Sequence, residues 1–206
     1  MAAIPELGVL PATPRRIIWH WTGGGSRAND VDRKHYHWII EQDGTIVTGR
    51  FLVASNMQRV WGSEYAQHTG GMNSFSVGIS FAGMKDCGSA QRPGPCPLNE
   101  NQVLAGLRFT AACCVAWSLD PLNPAHCFHH REAWELHGIK GTHNHQKFDI
   151  TFLPFLPQLK PNETGPWLRQ KTAEFLRPPS LVPQPGERRW SRVAGWIVLT
   201  RYVSDQ

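Results

Sequence analysis

The chain has 206 residues, a length that favours one domain of ordinary size with at most a short appendage. Hydrophobic residues make up 41% of it, enough for a sizeable core, so extensive disorder is excluded. No apolar run approaches the roughly 18 to 20 residues of a membrane span. The net charge of +5 suits an anionic polymer as partner, and the ten histidines suggest metal binding or acid–base chemistry.

Four short runs rich in β-branched and aromatic residues predict strands, after an extended lead-in over residues 1–14. The first run ends at a glycine-rich loop over residues 22–26, and loops of this kind commonly display functional side chains. The second and third runs are joined at Asp43-Gly44, which is typical of a β-hairpin. The predicted strands are 15–21, 36–41, 45–47 and 76–81.

Two helices are predicted in the second half of the chain. Asn99 offers an N-cap with Gln102 at the third helical position, and apolar residues then recur at helical spacing as far as Leu119. A second helix is predicted over residues 166–176. Strands interleaved with a long helix indicate an α/β fold, a mixed central β-sheet flanked by helices in a single domain.

The C-terminal part differs in composition from the domain predicted over residues 15–176. Residues 177–187 contain four prolines and predict a linker. Residues 188–206 combine arginines with Trp190, Trp196 and a short apolar stretch. We expect this segment to pack on the domain as an added strand or helix; transient contact with the outer membrane or cell wall is the alternative.

The five cysteines do not form a zinc-finger pattern, because no Cys-x-x-Cys occurs in the sequence. Cys113 and Cys114 lie in the apolar helical run and are predicted to be buried thiols. Cys87 and Cys96 flank a loop that a disulfide could close, whereas a cytosolic origin argues against the bond. The sequence leaves both states open.

A set of possible zinc ligands comes from three separate segments. A catalytic zinc needs about three nitrogen or oxygen ligands from the protein and one position open for water. His20, one histidine of the group 126–130 and Asp149 could supply that set. These residues have no local spacing such as His-Glu-x-x-His, so the pattern alone does not choose among the histidines.

Five motifs occur in the order in which one enzyme family carries them. Each is weak alone, but together they extend the likeness from about residue 15 to residue 157. On these motifs the sequence resembles the zinc-dependent N-acetylmuramoyl-L-alanine amidases of type 2, especially phage endolysins. The same family includes the animal peptidoglycan recognition proteins. The motifs cover residues 17–22, 36–44, 66–79, 130–132 and 147–150.

The resemblance implies the type 2 amidase fold and a Zn²⁺ ion bound by His20, His130 and Asp149. His130 is preferred to its neighbour His129 because it opens the His-x-Glu pattern of the family's second ligand. The stretch after His130 is longer than in the shortest relatives, so His143 stays an alternative ligand.

The resemblance also implies roles for residues around the metal. Lys147 would stabilise the oxyanion of the attacked amide, and Tyr36 would orient the water or assist proton transfer to the leaving amine. The general base stays open, because Ser80 stands where some members carry glutamate. Three residues match positions that line the groove for the muropeptide: His37, His68 and Asn73.

The expected activity is therefore hydrolysis of the amide between N-acetylmuramic acid and the L-alanine of the stem peptide, with zinc activating water. A non-catalytic peptidoglycan-binding module and a cytoplasmic muropeptide-recycling amidase are the alternatives. A nucleic-acid partner is not expected, because the net charge alone suggests one and no basic run interleaved with exposed aromatic residues is recognised. We expect a monomeric phage or prophage endolysin, made in the cytoplasm without a signal peptide and released to periplasmic peptidoglycan by a holin.

Overall fold

Strands and helices are interspersed along the chain in the computed structural model of the protein, which describes residues 10–139, 147–176, 188–193 and 196–201. The strands are β1 (Arg16–Trp21), β2 (Trp38–Ile40), β3 (Ile46–Thr48), β4 (Ser76–Phe81), β5 (Cys127–His129), β6 (Arg188–Val193) and β7 (Trp196–Arg201). The helices are α1 (Asp30–His35), α2 (Val53–Asn56), α3 (Glu100–Trp117), α4 (His130–Glu135) and α5 (Pro161–Glu174). None of the described helices is long and apolar enough to cross a membrane.

The central sheet is mixed and has five strands in the order β3-β2-β4-β1-β5. β1 runs parallel to both of its neighbours, β4 and β5, and β2 also runs parallel to β4. β3 is antiparallel to β2, which confirms the hairpin predicted around Asp43-Gly44. This mixed sheet with flanking helices confirms the predicted α/β fold class.

The two faces of the sheet bury different residues, because side chains alternate along each strand. On β1, Ile17, Trp19 and Trp21 join the main apolar core beneath α3. The Trp19 indole Nε1 donates a hydrogen bond of 3.1 Å to Thr110 Oγ1 on that helix. Ile18 belongs to a smaller apolar cluster on the opposite face.

Helix α3 is the main cover of the sheet, and its predicted N-cap is confirmed. The Asn99 side chain accepts a hydrogen bond of 2.9 Å from the backbone N–H of Gln102. The Gln102 amide in turn donates to the carbonyls of Ile40 and Ala82, at 2.9 and 2.7 Å. These bonds hold the start of α3 to the carboxyl ends of β2 and β4.

Helix α5 begins at Pro161, five residues before the predicted start, so that boundary was wrong. Proline is tolerated at the first helical position, because the N–H that it lacks has no intrahelical partner there. The four elements that were not predicted, α1, α2, β5 and α4, are six residues long or shorter. Such short elements show too few repeats of a hydrophobic pattern to be recognised in a sequence.

The C-terminal segment forms an antiparallel pair, β6 with β7, that is separate from the five-stranded sheet. The described residues of this segment therefore form strands, one of the two expected forms, and their packing on the domain stays a prediction. Residues 177–187, the predicted linker, lie outside the described part of the chain, and so do residues 1–9 of the lead-in. The predicted division into domains stays a prediction.

Candidate metal centre

The pairing of β1 with β5 brings His20 next to His130. In the register of the two parallel strands Trp19 lies opposite His129, so the residues that follow them are neighbours. His20 points away from α3 and is fully buried, while His130 is the first residue of α4. The two imidazole ring centroids lie 4.7 Å apart.

Asp149 completes the group from the segment that precedes α5. Its Oδ2 lies 3.1 Å from Nδ1 of His20 and 3.3 Å from Nδ1 of His130. The ring of Trp21 packs edge-on against Phe148 and Phe152, with ring centroids 5.6 and 5.1 Å apart, and this packing fixes the segment on both sides of the aspartate. The three side chains each offer one ligand atom, and these atoms all lie within 4.8 Å of one another.

This donor set fits a zinc ion. Two imidazole nitrogens and one carboxylate oxygen are ligands that zinc prefers, and three protein ligands leave a fourth position for water. His20 Nε2 lies 3.4 Å from Thr69 Oγ1 and can donate a hydrogen bond to it. In that tautomer the proton is on Nε2, and Nδ1, which lies next to Asp149, has a lone pair that can bind a metal ion. Hydrogen bonds of this kind commonly fix the tautomer and the orientation of a metal-binding histidine.

The charges at the centre also suit a cation. Burial lowers the pKa of His20 to about 4, so this imidazole is neutral at neutral pH. Burial by itself would raise the pKa of Asp149, but the adjacent His130 and His20 lower it overall. Asp149 is therefore an ionised carboxylate next to a neutral imidazole, as metal binding requires.

Tyr36 lies beside the proposed ligands, directly after α1. Its ring centroid is 5.1 Å from that of His20, and its hydroxyl donates to the carbonyl of Trp21 at 3.5 Å. Burial raises the pKa of Tyr36 above its ordinary value, and the charge of Asp149 adds to the effect. The phenol therefore keeps its proton at neutral pH and acts as a hydrogen-bond donor.

Ser80 is the register partner of His20 on β4 and is fully buried. Its hydroxyl is not a base at neutral pH, so the identity of the general base stays open. Lys147 is exposed, two residues before Asp149, and its positive charge contributes to the low pKa of His20. It brings a cation to the solvent edge of the centre.

The three residues expected to line the groove are buried around the metal centre. His37 Nδ1 accepts a hydrogen bond of 2.9 Å from the backbone N–H of Gly78, and Asn73 Oδ1 accepts one of 2.8 Å from that of Thr69. His68 Nδ1 lies 3.0 Å from Thr69 Oγ1. These bonds support the strand and loop that surround His20, and contact with a muropeptide stays a prediction.

The alternative ligands are placed differently. His129 lies outside the three-residue group, with its Nε2 3.7 Å from Glu132 Oε2. His143 falls outside the described residues. Cys87 and Cys96 are free thiols in this structure, and the predicted burial of Cys113 and Cys114 is confirmed.

Three residues that support the centre were not recognised from the sequence. Thr69 lies within a family motif and Glu132 within the His-x-Glu pattern, so both had a local signal that pointed to them. Arg169 had no such signal, because its hydrogen-bond partners, the Glu132 carboxylate and the Cys127 carbonyl, are 37 and 42 residues away along the chain.

A family comparison agrees with the motifs. Residues 10–146 match the model of Amidase_2, N-acetylmuramoyl-L-alanine amidase. The match covers well over half of the chain, so this protein belongs to that family of amidases. His20 and His130 lie within the matched residues, and Asp149 follows three residues after their end.

The solved structures found by comparison are distant in sequence. The ectodomain complex of peptidoglycan recognition proteins LCa and LCx with bound tracheal cytotoxin is 18% identical, with a TM-score of 0.41 over 64% of this chain and 79% of that chain. The amidase LysC from Clostridium intestinale URNW is 14% identical, with a TM-score of 0.39 over 59% and 72%. The endolysin of the Thermus scotoductus MAT2119 bacteriophage Ph2119 is 19% identical, with a TM-score of 0.39 over 62% and 79%. A comparison with curated protein sequences found no significant match.

Proposed function

We propose that this protein is a zinc-dependent peptidoglycan amidase that cleaves the bond between N-acetylmuramic acid and the L-alanine of the stem peptide. The observation that carries the proposal is the convergence of His20, His130 and Asp149, whose ligand atoms lie within 4.8 Å in a buried site. This convergence occurs in a chain that belongs to an amidase family.

His20, His130 and Asp149 would hold the ion. When bound, zinc supplies a Lewis acid that polarises the amide carbonyl and lowers the pKa of water to about 7. The three side chains contribute a single negative charge, that of Asp149, so they do not neutralise a divalent cation. Thr69 contributes by orienting the ring of His20 through the 3.4 Å contact with Nε2.

Lys147 and Tyr36 would both act on the substrate next to the ligand group. The Lys147 ammonium is exposed at the edge of the centre, where it can stabilise the negative charge that develops on the carbonyl oxygen. Tyr36 keeps its proton because its pKa is raised, so it can orient the attacking water or donate a hydrogen bond to the leaving nitrogen. His37, His68 and Asn73 would line the groove, and the bonds that they make to Gly78 and Thr69 would hold them in place.

The reaction is tested with purified full-length protein, zinc and peptidoglycan sacculi. Hydrolysis of the proposed bond releases new L-alanine amino groups and no new reducing sugar ends. His20→Ala should abolish the release of amino groups, whereas His126→Ala, at a partly buried histidine outside the ligand group, should retain it. New reducing ends without amino groups would show a glycosidase, and a fully active His20→Ala would exclude the zinc mechanism.

We propose further that the natural substrate is the intact cell wall, as for an endolysin that a holin releases to periplasmic peptidoglycan. The supporting observation is the resemblance of the sequence motifs to those of the phage members of the family. Rates on intact sacculi and on soluble muropeptides separate this proposal from a recycling amidase, which would act mainly on the soluble fragments. A chain ending at Arg177 tests the C-terminal segment: unchanged wall binding would exclude a targeting role.

A further inference from the structure

The position of His130 depends on a very short helix. His130 opens α4, which has six residues, and α4 follows β5 directly through His129. Isolated helices of this length are not stable in water, so the packing around α4 must hold it in place. The direction of the His130 side chain is therefore set by whatever fixes the junction of β5 and α4.

A buried ion pair spans that junction. Arg169 Nη1 on α5 lies 2.9 Å from both carboxylate oxygens of Glu132 and 3.2 Å from the carbonyl oxygen of Cys127. Glu132 Oε2 also accepts a hydrogen bond of 3.0 Å from the backbone N–H of His129. One guanidinium thus joins the strand before His130 to the helix that His130 begins.

Helix α5 approaches this pair closely and also contacts the segment of the third ligand. A Cβ atom added at Gly165, one turn before Arg169, would lie 2.3 Å from Glu132 Oε1, so the helix backbone packs directly on the carboxylate. Thr164 Oγ1 donates a hydrogen bond of 3.0 Å to the carbonyl of Thr151, two residues after Asp149. The same turn of α5 therefore supports both segments.

We propose that Arg169 is a positioning residue of the metal centre, which acts through Glu132 to hold His130 in the geometry that binds zinc. This inference rests on the proposed function, because it assumes that the three ligands bind the ion. Arg169 lies outside the residues that match the family model, so the support comes from a part of the chain that the match does not cover. The cost of removing two charges from water offsets most of the attraction within a buried ion pair. A gain in stability alone therefore does not explain the Glu132–Arg169 pair, and a role in fixing geometry does.

The test measures metal binding by the full-length protein with its zinc removed. The affinity for zinc is obtained by competition with a chromogenic chelator, and the geometry of the site from the visible absorption of bound Co²⁺. Arg169→Met should weaken zinc binding by roughly 10- to 100-fold, the usual effect of losing a group that orients a metal ligand, and should alter the Co²⁺ spectrum. Arg169→Lys, which keeps the charge, should recover part of both.

Two further variants separate positioning from folding. Arg169→Met leaves a buried carboxylate without its partner, so the double variant Glu132→Gln/Arg169→Met removes both charges and keeps an acceptor for the His129 N–H. Lys171→Met on the same helix removes a partly exposed pair, Lys171 Nζ to Glu174 Oε2 at 2.9 Å, and serves as the matched control with unchanged zinc binding.

The possible outcomes are distinct. A folded double variant that binds zinc more weakly than the wild type, with a changed Co²⁺ spectrum, supports the positioning role. A folded double variant with the affinity and spectrum of the wild type would overturn it while leaving the proposed function intact. A wild-type protein that binds no zinc would overturn the proposed function and this inference with it.

Discussion

Trp19 and His20 are consecutive residues of β1 whose side chains lie on opposite faces of the sheet, in different surroundings. Both are fully buried, but Trp19 lies beneath α3 and bonds to Thr110, whereas His20 lies on the other face beside Asp149. The face beneath α3 is almost wholly apolar and gains stability from burial. The opposite face buries imidazoles and a carboxylate, groups that are costly to remove from water. The difference indicates that one face stabilises the fold, whereas the other carries the side chains of the proposed zinc site.

The largest effect on activity is expected for Asp149→Ala, which removes the only carboxylate of the ligand group. Activity on peptidoglycan should fall by roughly 10³-fold or more, because several kcal/mol of transition-state stabilisation depend on the ion. The melting temperature of the zinc-free protein should fall moderately, because the lowered pKa of Asp149 means that the folded state stabilises its ionised form. Asp30→Ala, at an exposed position of α1, is the control, and unfolding of Asp149→Ala without zinc would show that this face is also structural.

Trp19→Ala tests the other face. Loss of a buried tryptophan should lower the free energy of unfolding by about 3–5 kcal/mol, as measured by urea denaturation. The folded fraction should still bind zinc with the affinity of the wild type, because Trp19 points away from the ligands. Weaker zinc binding in folded protein would mean that the two faces are coupled through β1.

Lys147→Ala should reduce kcat by about 10²-fold, the usual loss when one donor to an oxyanion is removed. The free energy of unfolding should stay within about 0.5 kcal/mol of the wild type, because the side chain is exposed. Steady-state kinetics and thermal melts give both values. Lys34→Ala, an exposed lysine at the end of α1, is a suitable comparison, and equal kcat in the two variants would exclude the proposed role.

The smallest effect concerns pH and His37. Burial lowers the pKa of His37 to about 4, so the unfolded chain takes up a proton first as the pH falls below about 6.5. The stability from this group is therefore complete above pH 6.5 and is lost as the pH falls towards 4. Between pH 6.5 and 5 the loss is about 2 kcal/mol, from 1.36 kcal/mol per pH unit.

The zinc-free protein isolates this dependence from metal binding. His37→Gln keeps an oxygen that can accept from the Gly78 N–H, and it should flatten the curve of unfolding free energy against pH. His126→Gln, at a partly buried histidine, should leave the slope of that curve closer to that of the wild type. An unchanged slope in His37→Gln would show that other buried groups carry the dependence.

Local patterns were sufficient for the longer elements. β4 occupies the predicted residues, and α3 begins after Asn99 as its capping pattern indicates. β5 and α4 were missed, although they carry His129 and His130, because three and six residues show no hydrophobic period. The start of α5 was misplaced, since two prolines within six residues make its first turn ambiguous in sequence.

The sequence by itself determined the kinds of side chain available to a metal and the segments that carry them, because strand patterns, caps and motifs are local properties. The family resemblance preferred His130 to His129, but only the tertiary structure decided that His130 meets His20 and Asp149, because that contact depends on the register between β1 and β5. It also decided that Arg169 supports the junction before α4. Residues far apart in sequence are brought together by packing, and no local pattern records the contact.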